Sequence, residues 1–114
     1  MNQYLLIYRN DVSQEFNPSP EQMQAIMEQW GAWHEDLAKE GRLVASEALQ
    51  TSGKVLAPDN VVTDGPYVEA KELVGGFTLI KAESMEKAID LAKGCPLHAG
   101  GEKIEVREVM KFEF

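Results

Sequence analysis

Gln3–Arg9 reads as a strand with large apolar side chains on both of its faces, Tyr4, Leu6 and Tyr8 on one and Leu5 and Ile7 on the other. Side chains alternate across a strand, so a chain that makes both sets apolar must cover both faces of the sheet it builds. A layer of helices can take one face. The other is left for a partner, because an uncovered apolar surface costs roughly 25 cal/mol per Å². The strand therefore predicts helices on one side of a sheet and, on the other, a second copy of the chain packed sheet to sheet.

The remaining pattern supplies those helices. A loop from Asn10 to Pro20 ends in Ser19-Pro20-Glu21, where Ser19 suits an N-cap and Pro20 a first helical position. The first helix is expected over Pro20–Glu40, with Met23, Ile26, Met27, Trp30, Trp33, His34 and Leu37 on one stripe and Gly41 as C-cap. Trp33, at the stripe's edge, is expected to be the partly exposed tryptophan. Leu43–Leu49 reads as a strand, and Lys54–Ala57 and Val61–Thr63 flank a turn at Pro58-Asp59-Asn60. Gly76–Ala82 is the next strand. Ser84 caps a second helix, with Met85, Ala88, Ile89 and Ala92 inward, which stops near Gly94-Cys95-Pro96. A loop over Leu97–Glu102 leads to the last strand, Lys103–Met110. The order strand, helix, strand, hairpin, strand, helix, strand over 114 residues predicts a single domain. Its fold class is α+β, a ferredoxin-like sandwich: a four-stranded antiparallel sheet, extended by an extra β-hairpin over about Lys54–Tyr67, with two helices on one face.

Charge and cysteine usage exclude several function classes. Nineteen acidic residues against eleven basic ones leave a net charge of −8, with no Lys/Arg cluster to offset it, which argues against direct nucleic-acid binding. No apolar run approaches the roughly 20 residues of a membrane span, and Met1-Asn2-Gln3 runs straight into the first strand without a leader. A soluble cytoplasmic protein is the expectation. Cys95 is the sole cysteine, so no internal disulfide forms, and neither a metal site nor a cofactor motif is expected.

Asp64-Gly65 between β-branched runs is a strong hairpin signal, so Thr63-Asp64-Gly65 is expected to bend tightly. Turn chemistry alone does not require the residues beyond it: Pro66-Tyr67, then Val68-Glu69-Ala70-Lys71-Glu72, then Gly75-Gly76-Phe77. That block resembles the signature of the DGPF branch of the YCII-related family, with Tyr67 where Phe is usual. The resemblance extends to Tyr4–Tyr8, the tryptophan-bearing helix, the Ala88/Ala92 spacing, Cys95-Pro96 and Glu105-Val106-Arg107. It implies a ferredoxin-like fold and a homodimer joined through its sheets as a dimeric α/β barrel. It also implies an accessory role beside alternative sigma factors, linked to transcription without DNA contact. In the YCII-proper branch a His on the first helix and an Asp before the Pro after the second are the residues suspected of chemistry. Trp30 and Cys95 take those two places here.

Two sets of side chains could carry a function. His34 lies one turn beyond Trp30 on the same face and could replace the missing base, or be a core-edge histidine satisfied by one hydrogen bond. Cys95, at the C-terminal end of the second helix, faces the negative pole of the helix dipole and reads as an inert apolar filler. The second set is charged: Asp64, Glu69, Lys71 and Glu72 of the signature, Glu105 and Arg107 of the last strand, and Arg9 of the first. Arg9 or Arg107 could present a planar fork to a ligand carboxylate, or the set could be an internal ion-pair network pinning the hairpin to the sheet. Asp64 and His34 are thus the catalytic candidates, and Arg9, Glu69, Glu72 and Arg107 the ligand-binding ones. Two functions stay open: a dimeric small-molecule-binding or regulatory module, and a lyase- or hydrolase-like enzyme with a pocket near the signature block.

Overall fold

The computed structural model describes residues 1–11, 17–65 and 72–112, without the side chains of residues 11 and 72. In chain order the elements are β1 (Asn2–Asp11), α1 (Pro20–Lys39), β2 (Leu43–Ala48), β3 (Gly53–Leu56), β4 (Val62–Gly65), β5 (Glu72–Ala82), α2 (Met85–Ala92), α3 (Pro96–Ala99) and β6 (Ile104–Glu108). Strands β2, β5, β1 and β6 lie side by side in that order, each antiparallel to its neighbour. This is the expected α+β sandwich.

Register explains the two faces of β1. Tyr4, Leu6 and Tyr8 stand opposite Ile80, Thr78 and Gly76 of β5, and opposite Glu108, Val106 and Ile104 of β6. Directly opposed residues share a face, and this face packs against Trp33 and Leu37 of α1, Ala88 and Ala92 of α2, and Cys95. Leu5 opposite Leu79 and Ile7 opposite Phe77 occupy the other face. They stay only half-buried, since the core cluster and its helices all lie on the Tyr4 side.

The first helix starts as read. Ser19 accepts from the Gln22 backbone N–H, and the Gln22 side chain accepts from the Ser19 N–H, closing a capping box with Pro20 in the first turn. Its stripe is covered only in part. Trp33 and Leu37 are buried, whereas Met27 is 63% exposed. Trp33, expected at the exposed edge, is instead a core residue at 7% exposure, with its indole N–H donating to Leu91 O at 3.1 Å. The half-buried tryptophan is Trp30.

Three further expectations are corrected. The hairpin of β3 and β4 does not extend the main sheet but forms a two-stranded sheet of its own. Its turn lies at Ala57–Val61, where Asn60 takes φ +68° and the Asp59 carboxylate accepts from the Val61 N–H. Asp64-Gly65 is therefore strand, not bend: Asp64 pairs with Lys54 and Gly65 with Gly53. Gly65 is needed for space, because a Cβ there would collide with the Val55 side chain. The loop after α2 also contains a short third helix, α3, begun by Pro96.

One ion pair locks the far end of the sheet. The buried Arg42 guanidinium spans Glu83 with both terminal nitrogens, at 2.9 and 3.2 Å, and also donates to Lys81 O. This fork joins the entry of β2 to the exit of β5. The Arg42 hydrogen bonds hold the Glu83 carboxyl below the usual carboxylate range. A depressed folded-state pKa contributes stability above the unfolded value, and that stability is lost as pH falls through the folded one. The stability gap between wild type and Arg42→Met should thus be constant near neutral pH and shrink under acid. Urea unfolding at pH 7 and pH 3 checks this, and a gap unchanged at pH 3 would refute it.

Candidate functional site

The places of Trp30 and Cys95 meet in the core beneath α1, around Tyr8. Ser46 of β2 stands opposite Thr78 of β5, and Tyr8 reaches across β1 to the same hydroxyl. The Tyr8 Oη–Thr78 Oγ1 distance is 2.6 Å and the Ser46 Oγ–Thr78 Oγ1 distance 2.9 Å. Three hydroxyls from three strands thus satisfy one another, with Cys95 in the same buried cluster. Above them the rings stack in series: Tyr8 edge-on to Trp30 at 5.5 Å, and Trp30 to His34 at 5.6 Å.

Burial keeps these groups uncharged. It pushes the Tyr8 phenol far above its ordinary range and raises the Cys95 thiol, against opposing hydrogen bonds from the Leu97 and His98 backbone and from Tyr8. Desolvation thus disfavours a Cys95 thiolate, whereas the dipole argument is ambiguous, because Cys95 follows the Lys93 C-cap of α2 and is itself the N-cap residue of α3. Burial likewise lowers His34, leaving a neutral imidazole whose Nε2 has no hydrogen-bond partner among the described residues. The neutral phenol and thiol can hold a shape and supply no base, whereas the neutral imidazole of His34 is in the proton-accepting form.

The network's structural role is measurable. Thr78→Val should cost about 1–3 kcal/mol by stranding buried hydroxyls, whereas adding Tyr8→Phe should cost less than the two single changes summed. Additive costs in a urea-unfolding double-mutant cycle would contradict the coupling.

Among the described residues, Arg9, Arg107 and Asp64 do not share one ion-pair cluster. Arg9 pairs with Glu105 at 3.2 Å, both about two-fifths exposed, on the sheet face away from the helices. Arg107 stands on that face too, opposite Leu5 and exposed. Asp64 sits on the separate hairpin, 92% exposed, paired with Lys54. Among the described residues no ion pair ties the hairpin to the main sheet. Glu69 and Lys71 lie outside the described residues, as does the Glu72 side chain at the head of β5. His34, on the helix side, is apart from Arg9 and Arg107 on the opposite sheet face.

Sequence reasoning missed a groove of about 520 Å³ between α2 and β6. Met85, Ile89 and Ala92 of α2 face Ile104 and Val106 of β6 across its floor. Lys93, His98, Glu102 and Lys103 form its rim. Ser84 starts α2 by accepting from the Lys87 N–H, and Gly94 ends it where a Cβ would press on the Trp33 ring at 3.0 Å. The tight link turns α3 back and brings His98 over the groove. Ile89 reads as inward on helical spacing, yet it is 44% exposed because α2 leaves the β6 side of the sheet partly uncovered. The loop read over Leu97–Glu102 supplies His98, exposed at this rim.

An antiparallel sheet with helices on one face, a vacant apolar face opposite and a ferredoxin-like order defines an α+β sandwich of the ferredoxin-like kind. The chain belongs to the YCII-related domain family, whose model matches residues 1–113. An uncharacterised protein of Rhizobium meliloti (strain 1021) is 32% identical over 95 residues, covering 79% of this chain and 77% of that one. Among solved structures the chain is similar to 5-chloro-2-hydroxyhydroquinone dehydrochlorinase from Burkholderia phenoliruptrix AC1100, in complex with 2,5-dihydroxybenzoquinone. That likeness has 17% identity, covers 95% of this chain and 93% of the other, and has a TM-score of 0.49.

Proposed function

We propose that this chain is one half of a homodimeric small-molecule-binding module of the DGPF branch. In this reading the ligand lies between α2 and β6, and two sheets pack face to face. The observation that carries it is the groove, whose volume falls within the roughly 300–1,000 Å³ of ordinary ligand sites and whose apolar floor meets a rim of convergent polar groups. The Tyr8 network favours binding over turnover, since its polar atoms already satisfy one another and its titratable groups are neutral. A regulatory or accessory role suits a domain that binds without transforming. The competing lyase- or hydrolase-like reading rests on His34, whose unpartnered Nε2 is its one point of support.

A fragment screen followed by methyl NMR tests the proposal. Hits should shift the methyl resonances of Ile89, Ile104 and Val106, and Ile89→Trp, which fills the groove from an exposed position, should abolish them. Hits that instead perturb Trp30 and His34 and survive Ile89→Trp would move the site beneath α1 and revive the enzyme.

A further inference from the structure

The groove's rim has the opposite sign from the protein. The chain carries a net charge of −8, yet two lysines and a histidine surround this cavity against the single carboxylate of Glu102. These groups are largely unengaged. Lys93 stands 4.0 Å from Asp90, one turn away on the surface, and neither His98 nor Lys103 has an ion pair or side-chain hydrogen bond among the described residues. Lysine stems can lie along an apolar wall while their ammonium groups stay at its mouth. The floor beneath them, from Met85 and Ile89 to Ile104 and Val106, offers hydrocarbon contact and no polar side chain.

We infer that the groove takes an amphipathic carboxylate, its aryl or alkyl tail on the α2–β6 floor and its head among Lys93, His98 and Lys103. The inference rests on reading this groove as the ligand site and adds the ligand's chemical class. The sign of the rim selects an anion over a cation, and the apolar floor selects a hydrocarbon tail over a sugar or a small inorganic ion. Glu102 offsets one of the two lysines, so a singly charged carboxylate head matches the rim's charge and a doubly charged phosphate overshoots it. Mutual attraction at so exposed a rim is modest and screened by salt, so selectivity comes from head and tail together.

Three ligands of one shape separate the inference from the reading beneath it: 4-phenylbutanoate, 4-phenylbutan-1-ol and 4-phenylbutylamine, titrated into the whole chain by calorimetry and methyl NMR at low salt. The acid should bind roughly tenfold more tightly than the alcohol, with the amine weakest. Raising the salt should weaken the acid alone. The double change Lys93→Gln, Lys103→Gln, at two exposed positions, should remove the acid's advantage over the alcohol while leaving the melting temperature unchanged. An alcohol or amine that binds as well as the acid, with shifts at Ile89 and Ile104, would overturn the carboxylate class and leave the groove standing. If none of the three shifts those methyls, the groove and the inference fall together.

Discussion

Trp33→Ala should destabilise the protein by about 3–5 kcal/mol. Trp33 is nearly buried, its ring packs edge-on to Trp30 at 5.7 Å, and Gly94 closes on its other side. Alanine would empty that space between α1 and the α2–α3 link. It would also remove the indole donor and leave Leu91 O without its partner, adding about 1–3 kcal/mol if that carbonyl stays dry. Trp33→Phe separates the two terms, since it keeps much of the ring volume and drops only the donor. Urea unfolding should show a midpoint shift with an unchanged slope, smaller for phenylalanine than for alanine. A loss below about 1 kcal/mol for alanine would place Trp33 at the surface, where helical spacing alone puts it.

Leu5→Asp should convert a dimer to a monomer while leaving the fold intact. Leu5 and Leu79 face each other in register on the sheet surface away from the helices, next to Ile7 and Phe77, and all four are half-buried in the isolated chain. Packing a second copy there would bury the whole apolar patch. In a two-fold assembly each substitution acts twice. Burying an unpaired carboxylate costs several kcal/mol, so association should weaken by well over a hundredfold. Sedimentation should report a dimer for the wild type at micromolar concentration and a monomer for Leu5→Asp. The companion Leu6→Asp should unfold the chain, because Leu6 is fully buried under the helices. A wild type that sediments as a monomer would refute the sheet-to-sheet dimer outright.

Local signals in the chain are legible where a single physical rule decides them. The Ser19-Pro20 start is a capping box because serine and glutamine at that spacing satisfy each other's backbone donors, wherever the helix later packs. The hairpin turn at Pro58-Asp59-Asn60 is legible too, since Asn tolerates the positive φ that the turn requires. Asp64-Gly65 misleads for the converse reason. Its glycine serves close approach rather than backbone handedness, and a sequence pair cannot tell those uses apart. Of the charged set, proximity in sequence did not fix the placement of the described members: Asp64 lies on a hairpin of its own, while Arg9 and Arg107 belong to the face of the main sheet away from the helices.

Alternation along β1 determined from the sequence alone that one sheet must have two apolar faces, and the strand and helix order determined its α+β architecture. Both follow from periods of two and 3.6 residues, which act over one element at a time. What lies in the core and what forms a cavity was decided only by the tertiary structure. Trp33 is inside and Met27 outside because only part of α1's stripe meets the core, and the stripe does not specify which part. The groove exists because α2 leaves β6 partly bare, and its rim gathers Lys93, His98 and Lys103 only after α3 has turned the chain back upon itself. Side chains from the end of one helix and the start of the last strand become neighbours through that turn, and no periodicity in the sequence records it.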